Sequence, residues 1–226
     1  MEEALCIAVL ASGDFPIHRI PLQALQEASF IVCCDSAYRN LQASEFKDRD
    51  FVVVGDGDSL TDDEKQALGD RYIHIEEQDY NDLHKAMAYV AGGEWKVESG
   101  TLNTQHSTMV SILGATGRRE DHTLGNIAHL VEFLDEYPGM KVEMLTDHGR
   151  LTALRGQGRY ESFAGQQVSL FSMTPQVPVS AEGLKWPLNQ RCLTRWWQGT
   201  LNEALADHFT VSGGDVVVFQ TYEPKR

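Results

Sequence analysis

The sequence predicts a two-part α/β chain: an N-terminal three-layer α/β domain with a largely parallel sheet, followed by a C-terminal β-sandwich domain. Two observations carry that expectation. Over the first two-thirds, short continuous apolar runs alternate with helical patterns, as strands do when helices cover both faces of their sheet. After about Thr146, Gly and Pro recur between short runs of period-two alternation, which is the texture of an antiparallel sandwich. The boundary is placed so that residues 1–147 form the first domain and 148–226 the second.

Element by element, Leu5–Ala11 is an apolar strand ended by the turn Ser12-Gly13-Asp14. Pro21–Ala28 is helical, with proline in the first turn. Phe30–Cys34 and Phe51–Val54 are buried strands that close on Asp35 and on Gly55-Asp56. Thr61-Asp62-Asp63-Glu64 has the form of a capping box and starts a helix. Arg71–Ile75 is a fourth strand. Asp82–Val90 carries Leu83, Ala86, Met87 and Val90 at helical spacing. Gly92–Gln105, polar and glycine-bearing, is expected to be a long loop. Thr108–Leu113 is a fifth strand ending at Gly114, and Thr123–Leu134 a helix with one apolar face. In the second domain Gln167–Ser172, Val177–Gly183, Leu193–Trp197 and Asp215–Tyr222 are the expected strands.

Composition narrows the class. Apolar residues make up 42% and charged residues 23% of the 226, an ordinary globular balance. No apolar run approaches the roughly 20 residues of a spanning helix, and the start Met1-Glu2-Glu3 lacks the basic opening of a signal peptide. The expectation is a cytoplasmic protein with no membrane partner. A net charge of −14, broken only by short pairs such as Arg118-Arg119, argues against nucleic acid. It leaves room for a nucleotide whose phosphate charge is offset by cations held on carboxylates. Cys6, Cys33, Cys34 and Cys192 include no C-x-x-C pair, so reduced core thiols are expected rather than a zinc site.

The strand ends carry the chemistry. In a parallel sheet, ligands gather beyond the carboxyl ends of the strands, and three of the four first-domain turns there present acids. Gly55-Asp56-Gly57-Asp58-Ser59 sets two carboxylates two residues apart in a glycine turn, a shape able to converge on one hard cation such as Mg²⁺. A solvated turn would use the same residues. Gln78–Ala86 opens a helix on which Asp82 and Lys85 share a face, with Asp79 read either as helix cap or as ligand contact. Gly114–His122 combines glycines, arginine, acid and histidine at one strand–helix junction, where backbone amides and a guanidinium suit phosphate. Trp186, Trp196 and Trp197 in the second domain are expected in the core, although an indole face also stacks on a flat ligand.

Taken in order, Asp35-Ser36-Ala37, Gly55–Ser59, Asp79–Ala86, and Gly117–His122 with Asn126 resemble the motifs of thiamine pyrophosphokinase. Gly183-Leu184-Lys185-Trp186-Pro187-Leu188 and Gly199-Thr200-Leu201-Asn202-Glu203 are similar to that family's second-domain signatures. The resemblance covers nearly the whole chain. It implies transfer of pyrophosphate from ATP to the hydroxyl of thiamine, giving thiamine diphosphate and AMP. It also implies an ATP- and Mg²⁺-binding catalytic domain, a thiamine-binding domain, and a homodimer with thiamine near the subunit interface. On the matching positions, Asp56, Asp58 and Asp82 would hold Mg²⁺, Lys85 and Arg119 would steady phosphate charge, and Asp121 and His122 would line the pocket near the acceptor. The other positions expected to touch the bound molecules are Asp35, Ser36, Gly55, Ser59, Asp79, Gly117 and Asn126, with Trp186, Thr200 and Asn202 in the second domain. The chain departs from the pattern at Ser36-Ala37 (a glycine pair), Asn81 (threonine), Arg118 (glycine) and Leu201 (serine).

Two other readings use the same residues. A metal-dependent nucleotide-sugar glycosyltransferase would need Asp56 and Asp58 but leaves Asp82, Lys85 and Arg119–His122 without a role. A sensor that binds thiamine diphosphate or a nucleotide without turnover would fit the Leu201 departure.

Overall fold

The computed structural model describes residues 5–97, 100–103 and 108–224. The first half builds β1 (Leu5–Leu10), α1 (Arg19–Glu27), β2 (Phe30–Cys34), α2 (Ala37–Gln42), β3 (Phe51–Gly55), α3 (Asp62–Leu68), β4 (Tyr72–His74) and α4 (Asp82–Ala91). Then come β5 (Glu94–Val97), β6 (Gly100–Asn103), β7 (Thr108–Leu113), α5 (Glu120–Glu136) and β8 (Met140–Leu145). The remainder is β9 (Gly149–Glu161), β10 (Gln166–Ser172), β11 (Val179–Glu182), β12 (Leu188–Arg191), β13 (Asn202–Glu203) and β14 (His208–Pro224). The chain divides into two compact units, Met1–Asn126 with Tyr137–Asp147, and Ile127–Glu136 with His148–Arg226.

In the first unit the strands run in the order β8-β7-β1-β2-β3-β4, every neighbouring pair parallel. The inner strands β2 and β3 are short and buried at every position, as cover on both faces requires. One face carries Ala8, Leu10, Ile31, Cys33 and Val53 against Leu25 of α1, Ala37 and Leu41 of α2 and Leu68 of α3. Helix α4 lies against β1, β2 and β3 and buries Leu83, Ala86, Met87 and Val90, the four positions that its period predicted. The capping box forms as read: Glu64 N–H donates to Thr61 Oγ1 at 3.2 Å, and Thr61 N–H donates to Glu64 Oε2 at 2.8 Å.

The second unit is the β-sandwich. Its long strands β9 and β14 pair antiparallel throughout, with a register shift between Gly213 and Asp215. Beyond the shift β14 pairs with β10; before it, β14 pairs with β11, which pairs in turn with β12. The two long strands thereby serve both layers, and Val168, Leu170, Val179, Ala181, Phe209, Val211, Val216 and Val218 fill the core.

Several expectations are corrected. Leu193–Trp197 is not a strand; it leads into a 3₁₀ turn at Trp196–Gly199. The segment expected as a loop at Gly92–Gln105 contains the antiparallel pair β5–β6, with residues 98–99 and 104–105 outside the described residues. Trp186, Trp196 and Trp197 are exposed rather than core, Trp197 by 71%. Cys33 and Cys34 are buried thiols as expected, but Cys192 is exposed. No described helix is long and apolar enough to cross a membrane.

Candidate active site

The parallel register brings β2 and β3 to a common edge. Cys34 pairs with Val54, so the residues that follow, Asp35 and Gly55, lie side by side. A Cβ at Gly55 would stand 3.1 Å from the Asp35 side chain, tighter than an ordinary contact. Asp35 has a left-handed backbone, φ 26°, and is 1% exposed. Its Oδ2 accepts from Ser59 N–H at 3.1 Å, while its Oδ1 is buried with no hydrogen-bond partner.

Above it the carboxylate loop closes on itself. Asp58 N–H donates to Asp56 Oδ1 at 3.1 Å, and Ser59 Oγ donates to Asp58 Oδ1 at 3.0 Å. Gly57 takes φ 76°, and a Cβ there would meet the Tyr72 hydroxyl at 2.1 Å. One oxygen from each of Asp35, Asp56 and Asp58 falls within 4.8 Å of the others, a grouping suited to a cation. From α4, Lys85 reaches Asp56 Oδ2 at 3.3 Å and Asp82 Oδ1 at 3.7 Å. Its side chain is almost wholly buried, and these acids supply the opposing charge that burial demands.

Burial, hydrogen bonds and neighbouring charges pull the titrations apart. Burial, then the charges of Asp35, Asp56 and Asp58, push Asp82 up to about 6 against the opposing pull of Lys85. Asp35 is raised, first by burial. Asp56 is lowered, first by the Asp58 N–H, with Gln78 and Lys85 adding to it. Four acids around one internal ammonium leave negative charge uncompensated. Together with the orphaned Asp35 Oδ1, this fits an oxygen-seeking divalent cation.

The other walls come from the glycine turn and α5. Gly117 takes φ 108°, and the Asp14 carboxylate occupies the space where a Cβ would stand. Arg118 lies 3.8 Å from Asp14. Arg119 forms a fork on Asp121, at 2.5 and 3.1 Å, and that pairing, with the His122 N–H, holds Asp121 down at about 2. Asn81, not Asp79, caps α4: its Oδ1 accepts from His84 N–H at 3.0 Å. Asn81 Nδ2 donates to Asn126 Oδ1 at 3.1 Å, and Asn126 Nδ2 donates to the Ala115 carbonyl at 2.9 Å. Asparagine in the family's threonine place thus keeps the cap and also ties α4 to the glycine turn.

A cavity of about 560 Å³ opens over these groups. Among the expected residues, Ser36, Asp56, Asp58, Ser59, Asp82, Lys85, Arg119, His122 and Asn126 line it. Asp35, Gly55 and Gly117 lie behind its wall as supports, and Asp79 and Asp121 do not line it. Gln78, Tyr80, Thr116 and Thr123 line it as well; the first three fall within singled-out motifs that gave them no role of their own, and Thr123 was read only as part of a helix. Gln78 and Tyr80 flank Asp79 within a motif already singled out, and that nearness was the one signal for them.

Trp186, Thr200 and Asn202 belong to the second unit. Asn202 is buried and turned onto the backbone of Trp186, accepting from its N–H at 3.1 Å and donating to its carbonyl at 2.7 Å. It therefore positions the exposed indole, over which Lys185 Nζ lies 5.2 Å from the ring centre. Thr200 Oγ1 donates to the Trp197 carbonyl at 2.8 Å, and Leu201 takes φ 61° with its side chain exposed.

Two family models match the chain in order. Residues 22–144 match the family model described as "Thiamin pyrophosphokinase, catalytic domain", and residues 149–219 match "Thiamin pyrophosphokinase, substrate-binding domain". Thiamin pyrophosphokinase 1 of Caenorhabditis elegans is 30% identical over 112 residues, 48% of this chain and 42% of that protein. Thiamine pyrophosphokinase 1 of Oryza sativa subsp. japonica is 26% identical over 153 residues, 63% of this chain and 54% of its own. The chain thus spans about half the length of the relatives it matches. In fold it is similar to yeast thiamin pyrophosphokinase (TM-score 0.78, 14% identity, 98% of this chain and 87% of that one). It is likewise similar to the Bacillus subtilis thiamine pyrophosphokinase (TM-score 0.73, 19% identity, 95% and 98%). Neither the glycosyltransferase nor the sensor reading gains support from these matches. With both family models matched in order across its two units, the chain belongs to the thiamin pyrophosphokinase family.

Proposed function

We propose that this protein transfers pyrophosphate from ATP to the hydroxyl of thiamine, releasing AMP and thiamine diphosphate. The observation that carries the reading is that Asp56, Asp58, Asp82 and Lys85 line one cavity, with Lys85 set between Asp56 and Asp82 and Asp35 grouped with Asp56 and Asp58 from behind the wall, in the unit matched to the catalytic domain.

The geometry supports these roles. Asp56 and Asp58, grouped with Asp35, would hold a Mg²⁺ ion, with Asp82 tied to them through Lys85. When bound, Mg²⁺ would screen the phosphate oxygens and make the attacked phosphorus more electrophilic. Lys85 is fixed by two carboxylates and cannot swing away, so its ammonium meets phosphate charge without reorganising. Arg119 lines the same cavity with a planar fork, shared with Asp121, that phosphate oxygens can compete for. His122 also lines the cavity, and an acceptor hydroxyl beside it would have to attack in line with the AMP leaving group. Its family position near the acceptor supports that role.

Thiamine contacts are assigned to the substrate-binding unit, with the exposed Trp186 indole as a face for a cationic aromatic ring. Trp196, Trp197, Leu201 and Leu205 are exposed on the same unit, and large apolar side chains left in water support a homodimer contact there. The test is an AMP-release assay with ATP, Mg²⁺ and thiamine. AMP and thiamine diphosphate should appear in equal amounts and only with all three present; ADP as the nucleotide product would rule the reading out.

A further inference from the structure

We propose that the exposed face of Tyr80 is the seat of the donor nucleotide's purine base, with the His84 ring as its backing; this rests on the ATP reading above. Tyr80 stands immediately before the Asn81 cap of α4 and lines the cavity that holds the carboxylates and Lys85. Its ring is stacked on His84, centroids 3.9 Å apart and planes 11° from parallel. His84 is buried and one turn along the helix, whereas Tyr80 is 48% exposed. One face of the phenol ring is therefore backed by a buried ring, while the residue stays about half exposed and lines the cavity.

The segment is also braced, because Tyr80 N–H donates to Glu77 Oε2 at 3.3 Å and Asn81 is bound to Asn126. A pre-placed aromatic plane costs little entropy to use, and any base offers it a π-face. The only other ring lining the cavity, among the described residues, is that of His122. The choice of a purine over the acceptor's rings follows from the partition: the phosphate-binding groups share this unit with Tyr80, while the substrate-binding match, residues 149–219, lies in the other.

Calorimetry on the full chain tests it with two probes, a non-hydrolysable Mg²⁺–ATP analogue and Mg²⁺–tripolyphosphate, which has phosphates but no base. Tyr80→Ala should weaken the analogue by roughly five- to a hundredfold, the range for base–aromatic stacking, and leave tripolyphosphate within about twofold. Tyr80→Trp should restore analogue binding, and His84→Ala should give a smaller loss. Tyr80→Leu keeps bulk without a π-face and should behave like the alanine variant, which covers the case where alanine disturbs the loop. Equal weakening of both probes, no weakening of either, or no analogue binding by the unaltered chain would each overturn the seat. So would a loss that falls on thiamine instead. The two ideas fail separately: base-dependent binding without AMP release sinks the transferase alone, and AMP release with no Tyr80 effect sinks the seat alone.

Discussion

Lys85 and Asp35 stand on opposite sides of one electrostatic problem. Two ionised carboxylates 4.8 Å apart repel by about 3 kcal/mol at an effective dielectric constant near 20, and the site packs three within that limit. Lys85 offsets part of this from inside the protein, where it faces Asp56 and Asp82. Lys85→Ala should therefore cut kcat/KM for AMP release at least about a hundredfold, the scale of removing one preorganised charge from around a transition state. Steady-state kinetics decide the matter, and a variant within about threefold of the parent would show that Lys85 is only structural. Asp35→Asn separates two quantities that usually move together. Asparagine keeps an acceptor for Ser59 N–H and removes one charge, so the metal-free protein should melt higher, by about 1 kcal/mol of relieved repulsion. Mn²⁺ binding followed by paramagnetic resonance should weaken in the same variant. Stability and affinity moving in the same direction would refute the charge-crowding account.

At the scale of elements, the carboxylate loop is held by what flanks it. Gly57 combines a left-handed backbone with a close approach to Tyr72, so no other residue fits cheaply. Gly57→Ala should cost about 1–2 kcal/mol of backbone strain plus the overlap, and should weaken metal binding while leaving the far-UV circular dichroism intact. Adding Tyr72→Phe should recover only part of the loss, since the Tyr72 ring carbon and Lys65 also crowd the position at 2.9 and 2.8 Å. Full recovery would show that the hydroxyl, not the backbone, sets the requirement. On the other side Arg39 of α2 forks onto Glu64 of α3 and donates to the Ser59 carbonyl at 2.8 Å. That pairing leads the causes that bring Glu64 down to about 2. A depressed carboxyl adds stability above its unfolded titration, near 4.5, and the gain disappears as pH falls through about 2. In Arg39→Ala the Glu64 titration, followed by NMR, should move up toward its ordinary value. An unmoved midpoint would assign the depression to Thr61 instead.

The same elements show what was legible beforehand and what was not. Continuous apolar runs announced β1, β2, β3 and β7, and Thr61–Glu64 announced α3, because those signals are local. The strand β9, GRLTALRGQGRYE, hid behind charges and glycines that only its pairing with β14 makes sense of. Glu94–Val97 and Gly100–Asn103 were too polar to suggest a hairpin. Leu193–Trp197 alternated as a strand should, yet its indoles face water. At the site, the D-G-D-S turn and the Asp82–Lys85 pair could be read from spacing. The closeness of Asp35 to Asp56 and Asp58 could not, because it depends on which strand neighbours which. The motif around Tyr80 is visible, but its stacking on His84 leaves no trace in spacing.

At the scale of the whole molecule, the charge balance makes the final prediction demanding. With a net charge of −14, any salt should raise stability somewhat by screening self-repulsion, so a rise with Mg²⁺ is not by itself evidence of a site. A specific ion adds binding energy to the folded state only, about 2.7 kcal/mol at a hundred times its Kd. For a chain of this size each kcal/mol is worth about 2–4 °C, so saturating Mg²⁺ should raise Tm by about 5–10 °C beyond NaCl of equal ionic strength. Far-UV circular dichroism melts of metal-stripped protein measure both arms. Replacing Asp56 and Asp58 together by asparagine should leave the NaCl response in place, since only two of many charges are gone, and should erase the extra Mg²⁺ response. If Mg²⁺ and NaCl act alike on the unaltered chain, the carboxylate group is a patch of the acidic surface and not a cation site. If the double variant keeps the extra response, the ion binds elsewhere on the chain.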